Sequence, residues 1–281
     1  MIPDLLFLRL ILAFAVGSIW VTFVTIIAER EGSSIGGFVG GLPSISVFSF
    51  LFIGLNQSPE AASQATTVFP LILSFSGLFA LLYALLATKR GFAFGLSCAF
   101  AIWFALDATV VLLRLDSFTF SMIAFAAISL LTYLGFELKL EGLRSFQGTS
   151  IHYTVGQVSF RALLAGSVVL LAVLMSEVGG PIFGGIFSAF PAVFTSTLYI
   201  MNSSRGLEYS RAIAKPLMVS AALTSVPYCV AVRYTYPVFG VVAGTLASYA
   251  IVIPFAILSY HVSGKGGWRK EVKRGPYIQE G

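Results

Sequence analysis

Long uncharged apolar runs alternate with short polar joints along the whole chain. Residues 65–88, 118–136, 181–201 and 238–260 contain no Asp, Glu, Lys or Arg. A helix crosses the hydrocarbon core of a bilayer with about 20 apolar residues, and these runs have that length. The pattern predicts nine spans, at 5–28, 35–56, 65–88, 91–113, 117–136, 158–178, 181–202, 213–233 and 237–261. Polar joints fall at 30–31, 56–63, 89–90, 114–117, 178–180, 202–212 and 233–236, and the longest, 137–157, separates the fifth span from the sixth. The stretch from Gly264 onward is basic and Gly-containing and is not read as a span.

Composition strengthens this reading. Hydrophobic residues make up 57% of the 281 positions and charged residues 10%, whereas a soluble domain carries about 25% charged residues. The expected class is an all-α polytopic membrane protein. The net charge of +5 then reports topology, not nucleic-acid binding. With nine spans, 14 of the 17 Lys and Arg residues fall on the side of the C-terminus, and only Arg9, Arg114 and Arg233 on the other. Basic residues are retained in the cytoplasm during insertion. The expected localisation is therefore multi-pass in the cell (plasma) membrane, with the N-terminus outside and the C-terminus cytoplasmic. Cys98 and Cys229 lie in separate apolar runs and form no disulfide or metal-spacing motif. The first apolar run has no basic flank and no small-residue cleavage site, so it is expected to be a retained helix.

An internal repeat changes the picture further. Glu29, Gly32, Gly36, Gly37, Pro43 and Glu60 recur as Glu177, Gly180, Gly184, Gly185, Pro191 and Glu208, each shifted by 148 positions without a gap. Equivalent spans are five apart, and an odd offset inverts the second copy relative to the first. The expected architecture is a 4+1+4 inverted-topology repeat. Residues 1–116 form the first repeat, 117–157 the crossover helix and cytoplasmic loop, 158–262 the inverted repeat, and 263–281 a basic cytoplasmic tail. Secondary transporters commonly use this design, with substrate near the midplane at the repeat interface. Symmetry can equally be an economical way to build a bundle, since architecture alone does not establish transport.

In the second half, Phe190-Pro191, the apolar run through Tyr199-Ile200, and Ser204-Arg205-Gly206-Leu207-Glu208-Tyr209-Ser210-Arg211 follow in that order. This succession resembles the GlpM family of small bacterial inner-membrane proteins. The first half keeps only the acid, with Gln57-Ser58-Pro59-Glu60 in place of Arg-Gly-x-Glu. Because members of that family are shorter, the resemblance implies two such units fused head to tail. It implies a loose association with cell-envelope traits and no defined molecular activity.

Asp107 is the only charge within 92–113. A charged carboxylate at mid-helix costs about 2.5–3.5 kcal/mol on insertion scales and should face protein or water. It is a candidate cation or proton site; the alternatives are a pair with Arg114 on the same face, or a neutral buried acid. Glu29 and Glu177 end the first and sixth spans, and with Asp107 they form the candidate metal set. Carboxylates suit hard cations, so a divalent metal such as Mg or Ca is the expected cofactor if there is one. The alternative is an interfacial acid, solvated or paired. Glu60 and Glu208 are secondary candidates, at positions where an acid complements the positive end of a helix. Gly36, Gly37 and Pro43, with Gly184, Gly185 and Pro191, mark paired helix breaks that would line a cavity, or they serve close helix packing.

The leading expectation is a cation-binding channel or secondary transporter with acidic residues lining a central cavity. Its partners would be membrane lipids and an inorganic cation or small polar solute, with no nucleic acid; an oligomer remains open. One alternative is a membrane-embedded enzyme acting on a lipid-linked or envelope substrate through carboxylate metal ligands. Another is a non-transporting scaffold. The chain has no Walker, HExxH or dinucleotide motif and no catalytic-triad spacing.

Overall fold

The computed structural model describes residues 3–30, 43–140 and 153–261, and every regular element among them is a helix. In chain order these are α1 (Pro3–Arg30), α2 (Ser44–Asn56), α3 (Pro59–Ala65), α4 (Phe69–Arg90), α5 (Phe92–Leu112) and α6 (Phe118–Leu140). They are followed by α7 (Val155–Gly179), α8 (Pro181–Ser188), α9 (Ala192–Arg205), α10 (Leu207–Ala212) and α11 (Ala214–His261). Seven stretches among the described residues are long and apolar enough to cross a membrane. They are Leu6–Ile26 in α1, then α4, α5, α6 and α7, α8 with α9 as Pro181–Arg205, and Leu207–Ser259. The 13-residue α2 is apolar but too short to cross unaided.

Local chemistry sets the boundaries. The Thr154 hydroxyl accepts from the Gln157 N–H and the Gln157 side chain accepts from the Thr154 N–H, a reciprocal cap that starts α7. Ser58 caps α3, with Pro59 at its first position. Gly91, at φ 87°, ends α4 and opens α5 directly. The last helix corrects the expected joint at 233–236. It continues through Pro237 and turns back at Gly240, whose φ of 74° only glycine adopts easily. Its two arms lie side by side. Thr235 meets Ser248 at 2.8 Å, Tyr236 meets Thr245 at 2.6 Å, and Ser259 meets Ser220 at 3.1 Å.

The interior is built around α4, which is buried at most positions from Phe69 to Ala87 and packs on α5, α6 and the first arm of α11. Beside it α1 crosses α7. The Ser18 hydroxyl donates to Ala162 O at 3.0 Å, while Gly166 sits so close to Phe14 that an added Cβ would stand 2.6 Å from the Phe14 carbonyl. Partner numbers fall as residue numbers rise, so the two helices run antiparallel. The outer surface of α6 and of the second arm of α11 is apolar, with Ile123, Leu130, Leu131, Val242, Leu246 and Ile253 exposed.

Candidate functional site

Two helices begin directly after a proline, α2 after Pro43 and α9 after Pro191. Pro191 has no N–H for the Phe187 carbonyl, which accepts from Phe190 N at 3.1 Å instead, and a new helix starts at Ala192. Pro43 stands at the same position before α2. The two prolines have closely matching backbone angles, φ −76° and ψ 62° at Pro43 against φ −75° and ψ 44° at Pro191.

A cavity with an empty volume of about 620 Å³, mouth included, lies between these two helix starts. Pro43, Ser44, Ile45 and Ser46 come from one, and Ser188, Ala189, Phe190, Val193 and Phe194 from the other. The start of α4 adds Phe69 and Leu73, and the first arm of α11 adds Leu217, Ser220, Ala221, Thr224 and Ser225. The lining therefore combines hydroxyls with aromatic and aliphatic walls and carries no charge. Several hydroxyl protons are used by the backbone. Ser46 donates to Pro43 O at 3.3 Å, Ser188 to Gly184 O at 2.7 Å and Thr224 to Ser220 O at 2.9 Å. Their lone pairs remain to accept from a guest.

The freed backbone at the Pro191 break is satisfied from α4 and α5. The Ser76 hydroxyl donates to Ala189 O at 2.9 Å and accepts from Trp103 Nε1 at 3.2 Å. The Trp103 ring meets the Phe190 ring edge-on, at 5.2 Å between centroids. In hydrocarbon surroundings an unpaired carbonyl is costly, so this pair of side chains holds the break in place.

The predicted site residues separate. Gly184 and Gly185 serve close packing: a Cβ on Gly185 would stand 2.0 Å from Ala65 O, and one on Gly184 would stand 2.7 Å from Ser176 Cβ. Pro43 lines the cavity, Pro191 breaks the helix across from it, and Gly36 and Gly37 lie outside the described residues. The side chain of Glu29 is also outside them. Asp107 and Glu177 are not among the cavity-lining residues. Asp107 is 5% exposed, and neither carboxyl oxygen has a hydrogen-bond partner among the described residues; the exposed Arg114 makes no pair with it. Glu177 keeps one buried oxygen, Oε1, without a partner among the described residues. Glu60 and Glu208 both lie in the first turn of a short helix, and Glu208 pairs with Arg211 at 2.7 Å. Among the described residues, no three His, Cys, Asp or Glu side chains come together as metal ligands would.

Two ties lie at opposite ends of α4. Near its C-terminal end Arg211, buried, donates from Nε to Ala84 O at 2.8 Å, and Tyr83 OH lies 2.7 Å from Ser210 Oγ. Before its N-terminal end, Ser63 Oγ donates to Arg233 O at 2.9 Å. The Arg233 guanidinium donates to Ser63 O, Thr66 Oγ1 and Thr67 Oγ1 and lies 4.2 Å from the Phe118 ring centre. The short helices α10 and α3 are thereby fastened to α4 and α11. The hydroxyl lining and these ties were not singled out from the sequence. Their signal was available: hydroxyls four apart in apolar runs, Ser220 with Thr224, and arginines close to span ends.

Helices of this length and hydropathy, with a broad apolar outer surface that water would not tolerate, define a helical integral membrane protein. No family model matches the chain, and no characterised protein or solved structure shows significant similarity to it.

Proposed function

We propose that the protein is a secondary transporter of inverted-repeat design, with a small polar solute held in the cavity between the helix starts at Pro43 and Pro191. One observation carries the reading. Eight of the cavity-lining residues form four pairs separated by 148 positions: Ile45 with Val193, Ser46 with Phe194, Phe69 with Leu217, and Leu73 with Ala221. A cavity lined this way straddles the axis relating the halves, which is where transporters of this design bind substrate.

The repeat itself has independent support. Helices α2 and α9 start at Ser44 and Ala192, and α3 and α10 at Pro59 and Leu207, again 148 apart. At the α1–α7 crossing Phe14 faces Gly166 and Ser18 faces Ala162, and each pair is the other under the shift. Such an exchange of equivalent contacts is the mark of a two-fold relation, and the antiparallel course fits inversion. Nine spans follow if α2 is the membrane-deep half of a broken span and Gly240 divides the last stretch in two. The Lys and Arg asymmetry then favours a cytoplasmic C-terminus, and a fused pair of GlpM-like units fits the same plan. The uncharged hydroxyl lining favours a small polar solute over a divalent cation, which takes several oxygen ligands, commonly carboxylates.

The experiment uses single cysteines, Ser46→Cys and Ser225→Cys, in a variant lacking Cys98 and Cys229. A small impermeant thiol reagent is applied to right-side-out and inside-out vesicles. Alternating access predicts modification from both faces, since both states are sampled. Modification from neither face contradicts the reading and leaves a packed scaffold.

A further inference from the structure

We propose that Asp107 is the proton-carrying site that couples solute movement to the proton gradient; this inference rests on the transporter reading above. A carboxyl group 5% exposed, with both oxygens buried and unpartnered among the described residues, is not a structural salt bridge. An unpaired buried charge is too costly to keep, so such a group either carries a proton or holds a cation. A metal cation needs several oxygen ligands, and no cluster of acids surrounds Asp107 among the described residues. A proton needs one.

Its position links that proton to the transport machinery. Asp107 lies one helical turn beyond Trp103 on the same face of α5. Trp103 donates to Ser76, Ser76 donates to the carbonyl of Ala189 at the helix break, and the Trp103 ring rests against the cavity-lining Phe190. Gaining or losing a charge one turn from this contact changes how α5 seats on α4 and therefore how the break is held. Around Asp107, no other titratable group among the described residues is placed to share the role. The opposing start of α4, residues 69–76, has none, and α6 presents Ser121 there, on Leu71 N at 3.0 Å. Glu137 and Lys139 of α6 lie about four turns further along, and Arg114 and Asp116 beyond α5 are exposed. The equivalent position in the second half is Phe255, so this site is present in one half only. In transport the carboxyl takes a proton from one aqueous face and releases the same proton to the other, with no other co-reactant.

Two measurements test this on the full-length protein. The first is the modification rate of Ser225→Cys in acidic and alkaline buffer, corrected for the reagent's own pH dependence. With Asp107 present the rate should change at least about fivefold, the lower end of ordinary site-to-site coupling. Asp107→Asn should give a flat profile fixed near the acid-side rate, because the amide mimics the protonated acid. Asp107→Glu should restore the pH dependence. A parent that is already flat, or an Asp107→Asn variant that keeps the parent's profile, overturns the proposal. The second is the infrared carbonyl stretch of a protonated carboxyl group, which should disappear in alkali and be missing from Asp107→Asn. Persistence of the same titrating band in Asp107→Asn refutes the assignment. If Ser225→Cys is never modified, the cavity reading fails, while the infrared band still decides whether Asp107 exchanges its proton.

Discussion

At Gly185 the backbone of α8 touches the end of α3 so closely that a methyl group has nowhere to go. Its added Cβ would stand 2.0 Å from the Ala65 carbonyl oxygen, a backbone atom that cannot swing aside. Gly185→Ala should destabilise the protein by about 1–3 kcal/mol through overpacking, seen as a lower melting temperature in detergent. Gly156, with only Thr154 Oγ1 at 4.0 Å, is the control. Gly156→Ala should be neutral or slightly stabilising, because alanine costs a helix less than glycine. The repeat drew attention to Gly184 and Gly185 but could not say whether they open a cavity or close a contact. Both choices use the same residue, and only the neighbour across the interface, Ala65 or Ser176, decides. Asp107 was legible from its isolation in an apolar run; its lack of a partner among the described residues was not, because Arg114 stands at a spacing where a pair could form.

Among the elements, the broken helix pair α8–α9 depends on two residues that lie far from it in sequence. Removing the Ser76 hydroxyl leaves Trp103 Nε1 and the Ala189 carbonyl without the bonds that now satisfy them. Ser76→Ala should cost about 1–3 kcal/mol, the penalty for a buried polar group left unpaired, whereas Ser97→Ala on α5 should change little. Equal melting temperatures for Ser76→Ala and the parent would remove Ser76 from its role at the break. The break at Pro191 and the start of α2 after Pro43 were legible from the prolines, since a missing N–H acts locally. The turn between the arms of α11 was misplaced because Arg233 resembles a span end. The backbone stays helical at Arg233, whose guanidinium reaches back to Ser63, Thr66 and Thr67, contacts set by tertiary structure. Gly240, the only glycine between 207 and 243, was the available cue.

On the scale of the whole molecule, hydropathy alone was enough to define the class, because a bilayer imposes helix length and apolarity on any chain that crosses it. The cavity was not legible in detail. The sequence pattern pointed to acids around it, whereas the lining is hydroxyl and aromatic, and Asp107 and Glu177 are not part of it. Inversion of the halves, as proposed, puts equivalent positions on opposite faces of the membrane. Glu60 and Glu208 are equivalent under the shift of 148, and both are exposed at the first turn of a short helix. Single cysteines Glu60→Cys and Glu208→Cys, in a variant lacking Cys98 and Cys229, are treated with an impermeant thiol reagent in intact cells and again after permeabilisation. Inversion predicts that only one of the two is modified in intact cells, Glu60→Cys by the charge asymmetry, and the other only once the membrane is opened. Modification of both in intact cells, or of neither until permeabilisation, contradicts it.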